Sequence, residues 1–131
     1  MAATHRVKYD SKFEKKLHDV LKGCNYHTER LPYVQHKNYE PDFIYKDKSG
    51  FTNYIEAKGW FRDSAEARKY IDVIACLPAA SKLVFIFQNP NKKMPGAKRR
   101  KDGTYRTMKE WAMKYGIEYY TESTLPKEWT C

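Results

Sequence analysis

The stretch 82–88 reads KLVFIFQ and constrains the fold more than any other part of the chain. This apolar run is too short for an independent helix and is rich in β-forming residues, so it predicts a central strand buried on both faces. An amphipathic helix is predicted before it, beginning with Asp63 or Ser64 as its cap and ending before Pro78. The helix carries its apolar residues on one stripe: Ala67, Tyr70, Ile71, Ile74 and Ala75. A right-handed crossover would then place residues 52–57 parallel to 82–88.

Other elements follow from similar patterns. Residues 11–22 predict a first helix that Gly23 ends, because apolar side chains recur at helical spacing: Phe13, Leu17, Val20 and Leu21. A third helix begins at Thr107, whose spacing to Glu110 is that of a capping box, and ends at Gly116. Further strands are predicted near 26–30, 42–45, 52–57 and 117–121. We therefore expect one α/β domain over 1–131 with a mixed β-sheet flanked by helices, in the order α-β-β-β-α-β and then α-β.

The charge of the chain favours an anionic partner. Its 25 Lys and Arg against 16 Asp and Glu leave a formal charge of +9, which attracts polyanions such as nucleic acid by steering and counterion release. We expect no membrane association, because no apolar run approaches the roughly 18 residues of a spanning helix and the N-terminus lacks the apolar centre of a signal peptide. The three cysteines and four histidines show no zinc-ligand spacing. A cytoplasmic location is the expectation.

The hairpin sequence PDFIYKDKSGFTNYIEAKG, residues 41–59, carries charges among its apolar residues. If Tyr45 pairs with Asn53, Asp42 lies opposite Glu56, and Lys58 faces the same side as Glu56. Opposed carboxylates repel unless a positive charge intervenes, and a divalent cation would supply it. Mg²⁺ suits two carboxylates and the backbone carbonyl of Ala57, and a neighbouring lysine could orient or deprotonate a metal-bound water. The alternative is a surface hairpin in which Glu56 and Lys58 simply form an ion pair.

Glu14 is a further candidate ligand on the first helix. It lies at the margin of the apolar stripe and could point along the edge of the core toward the sheet. Alternatively, Ser11 and Glu14 form a capping box, in which the Glu14 carboxylate accepts from the Ser11 backbone N–H. The residues alone leave both readings open.

Together these residues resemble a known family. Glu14 on a leading helix, Pro41-Asp42, and Glu56-Ala57-Lys58-Gly59 resemble the PD-(D/E)xK nuclease superfamily, and most closely the phage endonuclease I family of Holliday-junction resolvases. The similarity extends to LPYV before YEPDF, to EAKGWF, ARKY and KYGIEY, and to LPKEW near the C-terminus, so that it covers roughly residues 11–129.

The resemblance implies a restriction-endonuclease-like core and a homodimer that makes paired cuts in branched double-stranded DNA. It implies that Asp42 and Glu56 are metal-binding carboxylates, that Lys58 is the active-site lysine, and that Glu14 helps to hold a second metal. The cofactor would be Mg²⁺, with Mn²⁺ as a substitute, and a phage-encoded protein would act in the cytoplasm of its host cell. Whether the protomers exchange segments, and which chain supplies Glu14 to each site, stays open.

A basic segment completes the pattern. Residues 90–106 are rich in Gly, Pro and cations and predict a mobile loop outside the core. Such a loop could track a DNA backbone, and the chain shows no base-reading motif, which suits recognition of shape. The candidate DNA-binding residues are Arg62, Arg68, Lys69, Lys92, Lys93, Lys98, Arg99, Arg100, Lys101 and Arg106. The alternative for the loop is a solvated, solubilising segment.

Two other functions are compatible with the same sequence. One is a PD-(D/E)xK nuclease of the restriction, repair or transposition type that acts on linear or damaged duplex. The other is a non-catalytic basic DNA-binding module in which the pairing of Glu56 with Lys58 is structural. The second of these leaves the position of Asp42 opposite Glu56 without an explanation.

Overall fold

The computed structural model of the protein describes residues 8–131. These residues form two compact units, one ending at Lys37 and one spanning Asn38–Cys131. The first unit contains the helix α1, Lys12–Val20, and the second contains a β-sheet and two further helices. Within the described residues, no helix is long and apolar enough to cross a membrane.

The first unit confirms the predicted helix and contradicts the predicted strand. Helix α1 begins after Ser11, whose hydroxyl accepts a hydrogen bond from the Glu14 backbone N–H at 3.1 Å. The strand expected at 26–30 is wrong, because that segment has no β-pairing in the described chain. Instead the ring of Tyr26 stacks on the rings of His18 and His27, with centroid distances of 5.1 and 4.0 Å. Aromatic packing onto the helix therefore overrides the β propensity of this segment.

The sheet has four strands: β1 (Phe43–Lys46), β2 (Thr52–Lys58), β3 (Ser81–Phe87) and β4 (Glu118–Tyr120). Their spatial order is the same as their order in the chain, with β1 antiparallel to β2 and the other pairs parallel. The mixed sheet and the parallel pairing of β2 with β3 confirm the predictions. The element order is α-β-β-α-β-α-β, because the strand expected before β1 does not form.

The turn between β1 and β2 fixes the register of the hairpin. The Asp47 carboxylate accepts hydrogen bonds from the backbone N–H groups of Ser49 and Phe51, and Gly50 adopts a φ of +85°. Glycine suits this conformation, because a side chain there would be strained. With the turn closed in this way, Tyr45 lies opposite Asn53, as predicted.

Helices α2 (Ser64–Ala75) and α3 (Met108–Lys114) begin at the predicted caps, Asp63 and Thr107. Each follows a strand and leads to the next parallel strand of the sheet. Right-handed crossovers in one direction along a sheet place both helices on the same face. The core forms between this face and the helices, from residues that include Tyr70, Phe85, Phe87, Met108 and Trp111.

The opposite face of the sheet is covered by the end of the chain. Trp129, in a short 3₁₀ helix (Lys127–Trp129), packs between Tyr45 of β1 and Tyr120 of β4, with ring centroids 6.4 and 5.4 Å away. Val84 of β3, whose side chain alternates onto this face, is fully buried. The central strand is therefore buried on both sides, as its sequence predicted.

The basic segment 90–106 is attached to the core. The expectation that it lies outside the core is wrong for Met94, which is 5% exposed among the core residues. The Met94 N–H donates to the Arg106 carbonyl at 2.8 Å, and the Met108 N–H donates to the Lys92 carbonyl at 2.8 Å. The first hydrogen bond closes the segment on itself, whereas the second, together with one from the Lys109 N–H to the Pro90 carbonyl at 2.8 Å, attaches the segment to α3.

A substitution of Met94 tests this attachment. We expect Met94→Ala to lower the free energy of unfolding by about 2–5 kcal/mol, because it removes a buried side chain and leaves a cavity. Denaturant unfolding followed by circular dichroism measures the change. Met113, which is 65% exposed on α3, provides the matched control, and Met113→Ala should change stability by less than about 0.5 kcal/mol. Equal effects of the two substitutions would contradict the buried position of Met94.

Candidate active site

Asp42 directly precedes β1, and Glu56 lies on β2. The pairing of Phe43 with Ile55 continues one step to place Asp42 opposite Glu56, as predicted. The Asp42 carboxylate accepts a hydrogen bond from the backbone N–H of Ala57 at 2.9 Å. Asp42 itself is exposed, so this bond fixes a carboxylate that solvent or a ligand can reach.

Glu56 is buried and is held by two tyrosines. Its side chain lies on the face of the sheet that carries α2, and the residue is only 8% exposed. The hydroxyls of Tyr39 and Tyr70 donate to its two carboxylate oxygens at 2.8 and 2.7 Å. A buried carboxylate is costly unless it accepts such hydrogen bonds, and charged acceptors form stronger ones than neutral acceptors do. The two tyrosines therefore offset much of the cost of burying Glu56.

The main partner of Lys58 is Glu66 of α2. The Lys58 ammonium lies 2.6 Å from the Glu66 carboxylate and 3.9 Å from that of Glu56, and 5.2 Å from the centroid of the Tyr70 ring. The alternative of an ion pair between Glu56 and Lys58 agrees with the 3.9 Å distance, but the two side chains are only 18% and 10% exposed, so the pair does not lie on an exposed surface. Lys58 is instead fixed between the sheet and α2.

The electrostatics of this cluster act on the two tyrosines. Burial raises the pKa of the Tyr39 and Tyr70 hydroxyls well above the usual value for tyrosine, and the hydrogen bonds to Glu56 raise it further. The charge of Asp42 also raises the pKa of both hydroxyls, so Asp42 acts on the same polar cluster. Both hydroxyls therefore remain protonated donors to Glu56 at neutral pH.

Three residues of the cluster were missed by the sequence reasoning: Tyr39, Glu66 and Tyr70. Tyr70 was interpreted as a core residue, and its ring is indeed buried, but a buried tyrosine hydroxyl also needs a partner. Glu66 lies four residues before Tyr70 on α2, so the two side chains point to the same side of the helix. That spacing on a helix next to the hairpin was the available signal, whereas nothing in the sequence marked Tyr39.

The oxygen atoms that are predicted to bind a divalent cation are chemically suited to it. Each carboxylate oxygen has two lone pairs, so Glu56 can accept a tyrosine hydroxyl and still offer an oxygen to a metal, and Asp42 is solvent-accessible. In a strand the N–H and C=O of one residue point to the same neighbour, so the Ala57 carbonyl faces the edge where Asp42 lies. Two carboxylates and a carbonyl form the hard oxygen set that Mg²⁺ prefers.

Glu14 belongs to the first unit, whereas Asp42, Glu56 and Lys58 belong to the second. Its carboxylate accepts a hydrogen bond from the Tyr26 hydroxyl, which raises the pKa of Tyr26 to about 12. The Glu14 carboxylate thus binds Tyr26. Of the two hydrogen bonds of a capping box, only the one from the Glu14 N–H to the Ser11 hydroxyl is present in the described part of the first unit.

Potential ligand atoms of Asp10, Glu14 and His27 lie within 4.8 Å of one another. The sequence reasoning gave Asp10 and His27 no role, and this juxtaposition arises from the turn that stacks His27 on Tyr26. Exposed acidic groups often cluster in this way without an ion. The cluster by itself therefore does not indicate a metal site.

The candidate DNA-binding residues have different surroundings. Five cations of the basic segment are exposed and form no ion pair with a described residue: Lys92, Lys93, Lys98, Arg99 and Lys101. Arg100 instead forms a bidentate ion pair with Glu110, with its closest N–O distance at 2.6 Å. The hydrogen bond from Arg100 lowers the pKa of Glu110. Arg100 therefore anchors the segment to α3 and is less available to a phosphate than its neighbours are.

Lys93 and the remaining cations lie closer to the body of the second unit. The Lys93 ammonium lies 4.4 Å from the centroid of the Tyr105 ring, and the Lys69 ammonium lies 4.7 Å from that of Tyr70. Arg62 is exposed and lies within 4 Å of the Asp63 and Glu66 carboxylates. Arg68 and Arg106 line a separate groove.

No protein-family model matches the chain, and no curated protein matches its sequence. Any functional assignment therefore depends on the residues and their geometry. Three observations carry most weight: the opposed carboxylates of Asp42 and Glu56, the neighbouring ammonium of Lys58, and the basic segment.

A spectroscopic titration tests the hydrogen bonds to Glu56. Below about pH 11, the double variant Tyr39→Phe, Tyr70→Phe should show the same tyrosinate absorbance as the unaltered protein, because neither hydroxyl ionises in the folded state. The stability that these protonated hydroxyls provide is present below about pH 10 and is lost as the pH rises beyond it. Circular dichroism at each pH confirms that both proteins are folded.

The unfolded state provides the control for this titration. In strong denaturant at the same pH, the double variant should lack the absorbance of two of the 11 tyrosines. A deficit of that size in the folded state would mean that the two hydroxyls ionise normally, which would contradict their burial against a carboxylate.

Proposed function

We propose that the protein is a Mg²⁺-dependent endonuclease that cuts branched DNA, such as four-way junctions, by paired nicks. The observation that carries the proposal is the position of Asp42 opposite Glu56 at the end of the hairpin, with the Lys58 ammonium 3.9 Å from Glu56. Phosphodiester hydrolysis needs an activated water and positive charge near a phosphate, and this combination can provide both. The sequence resemblance and the mixed α/β sheet also support a restriction-endonuclease-like core.

Each residue has a distinct role in this proposal. Asp42, Glu56 and the Ala57 carbonyl would hold Mg²⁺, which when bound lowers the pKa of a water and neutralises phosphate charge. The Lys58 ammonium would donate to a phosphate oxygen, or its amine would take a proton from the attacking water. Glu66 positions Lys58 through the contact at 2.6 Å, and Tyr39 and Tyr70 position Glu56.

The surface charge of the protein supports DNA as the substrate. The formal charge of +9 and the exposed cations of the segment 90–106 favour contacts with phosphates. Recognition would depend on the shape of the branch, because phosphate contacts position a protein without reading sequence.

Two paired cuts need two active sites, and therefore a homodimer. The surface of the first unit supports a homodimer. None of the α1 residues is buried, and Phe13 and Val20 on its apolar stripe are 67% and 69% exposed. Exposed apolar stripes of this kind commonly mark an association surface. Paired nicking requires a second copy of the chain, and we expect that copy to cover this stripe.

A specific observation favours a second candidate function. Glu56 accepts two hydroxyl donors and Lys58 is paired with Glu66, so the hydrogen-bonding needs of both are met without a metal. A non-catalytic basic DNA-binding module would contain the same network as a structural element. A nuclease for linear or damaged duplex shares the candidate site and differs only in its substrate.

Cleavage of a labelled four-way junction, compared with a linear duplex of the same sequence, tests the proposal. In Mg²⁺ we expect paired cuts near the branch, and we expect Asp42→Asn and Lys58→Ala to lower the rate at least about 100-fold, because each removes a group that acts on the reacting atoms. Asp72→Asn, at an exposed position of α2, is the matched control and should cut normally. EDTA should abolish cutting by all of the proteins.

The outcomes separate the three functions. Equal cutting of the junction and the linear duplex would favour the second type of nuclease. Binding of DNA without cleavage in Mg²⁺ or Mn²⁺ would favour the non-catalytic module and refute the proposal.

Glu14 requires its own test. We expect Glu14→Gln to lower junction cleavage at least about 10-fold, because the change removes a charge that would hold a second metal or its water. Glutamine can still accept from the Tyr26 hydroxyl, so the melting temperature should change by no more than a few degrees.

A large loss of melting temperature with cleavage intact would show that Glu14 is only structural. Mixing Glu14→Gln chains with Asp42→Asn chains shows which subunit it serves. Nicking recovers in the mixture only if the Glu14 of one protomer completes the site of its partner.

A further inference from the structure

A groove of about 320 Å³ lies in the second unit between α2, the segment 94–97 and α3. The turn at Gly96 forms one wall, with a φ of +72°, and a side chain there would press against the Ser64 hydroxyl at 3.3 Å. The opposite wall comes from Trp111 and Tyr115. The groove is therefore a defined recess, close to the smallest volumes typical of ligand sites, roughly 300 Å³.

Two guanidinium groups line this groove, from Arg68 of α2 and from Arg106 at the end of the basic segment. No carboxylate is among the lining residues, and neither arginine forms an ion pair with any residue in the described part of the chain. Nη2 of Arg106 is shielded from solvent and donates to no acceptor within residues 8–131. A shielded N–H without an acceptor is costly, so a movement of the Arg106 side chain that let Nη2 reach an anion in the groove would satisfy it.

The remaining lining of the groove is apolar and aromatic. Ala67 and Met94 are buried at its base, and Trp111 is 3% exposed. The Tyr115 ring is 46% exposed, and the Arg106 guanidinium carbon lies 6.0 Å from its centroid. A ligand that fits these surfaces has an anionic group and a flat apolar part, which is the chemistry of a nucleotide.

The groove lies beside the candidate active site. The ring of Phe61 lies 4.8 Å from that of Trp111, and the Lys58 ammonium lies 6.0 Å from the centroid of the same Phe61 ring. The Phe61 ring thus lies between Trp111, which lines the groove, and Lys58. Neighbouring nucleotides of one DNA strand can span such a separation, since adjacent phosphates lie several Å apart.

We infer that the groove binds one nucleotide of the DNA strand that the neighbouring site cuts. Its phosphate pairs with the guanidinium groups of Arg68 and Arg106, and its base or sugar packs on Tyr115. The inference rests on the proposed function in taking DNA as the source of the nucleotide. In this inference Arg68 and Arg106 bind a phosphate inside the groove, whereas the exposed lysines of the basic segment do not line it.

Calorimetric binding in EDTA tests the inference with 5′-phosphorylated (dT)₃ as the probe and Asp42→Asn as the parent protein. We expect Arg68→Gln and Arg106→Gln each to weaken binding at least about 10-fold, because each removes a charged partner of the phosphate. Lys48→Gln, in the turn between β1 and β2, is the matched control. It removes the same charge from an exposed residue outside the groove and should change binding by less than about threefold.

Smaller probes identify what the groove recognises. Thymidine 5′-monophosphate should bind more weakly than the trinucleotide and more tightly than either inorganic phosphate or thymidine alone. Mononucleotide binding as tight as that of the trinucleotide would overturn the assignment to a strand. Inorganic phosphate binding as tightly as the mononucleotide would overturn the role of Tyr115.

The controls exclude trivial explanations. Arg68 is exposed, so Arg68→Gln should keep the melting temperature of the parent protein even if Arg106→Gln does not. Equal weakening by Lys48→Gln would mean that only net charge matters, which would overturn the inference.

Failure of this inference is distinguishable from failure of the proposed function. The binding measurement needs neither metal nor cleavage, whereas junction cutting by the unaltered protein needs both. Normal cutting with no effect of either arginine on binding would overturn the groove alone. Arginine-dependent binding without any cutting would support the groove and refute the nuclease.

Discussion

The interaction on which the second unit most depends is the burial of the Glu56 carboxylate under α2. A carboxylate in that position needs donors, and they come from Tyr39, before the hairpin, and from Tyr70, on the helix after it. The same helix contributes Glu66 to Lys58. The hairpin, the segment before it and α2 therefore meet around one charge, and the packing of α2 on the sheet cannot shift without breaking a hydrogen bond to Glu56.

The parts of the fold that were predictable have local causes. The caps at Asp63 and Thr107 depend on side chains within three residues of the helix start, and the Gly50 turn sets the hairpin register by itself. That register was sufficient to predict that Asp42 lies opposite Glu56. The parallel pairing of β2 with β3 followed from chain connectivity and handedness alone.

The parts that were not predictable depend on contacts between distant residues. Residues 26–30 have strand-like composition, but the rings of His18 and Tyr26 pack together and the segment turns. Met94 is a single apolar residue among charges, and only the complete core shows where it packs. Tyr39 reaches Glu56 from 17 positions away, a separation that no sequence period marks. The charged residues of the candidate site were thus visible in the sequence, whereas the neutral residues that hold them were not.

Hydrogen bonding and charge have to be considered separately in the candidate site. Tyr39 and Tyr70 satisfy the lone pairs of Glu56, but their hydroxyls are neutral and cancel none of its charge. The charged groups around Glu56 and its two tyrosines are the carboxylates of Asp42 and Glu66 and the ammonium groups of Lys58 and Lys69, the last of them 4.7 Å from the centroid of the Tyr70 ring. Arg62 lies 3.9 Å from the Glu66 carboxylate, but its side chain is 73% exposed, so solvent screens most of its effect. Under the proposed function, a divalent cation at Asp42 and Glu56 would offset the carboxylate charge that Lys58 and Lys69 leave, whereas the structural alternative needs only the hydrogen bonds.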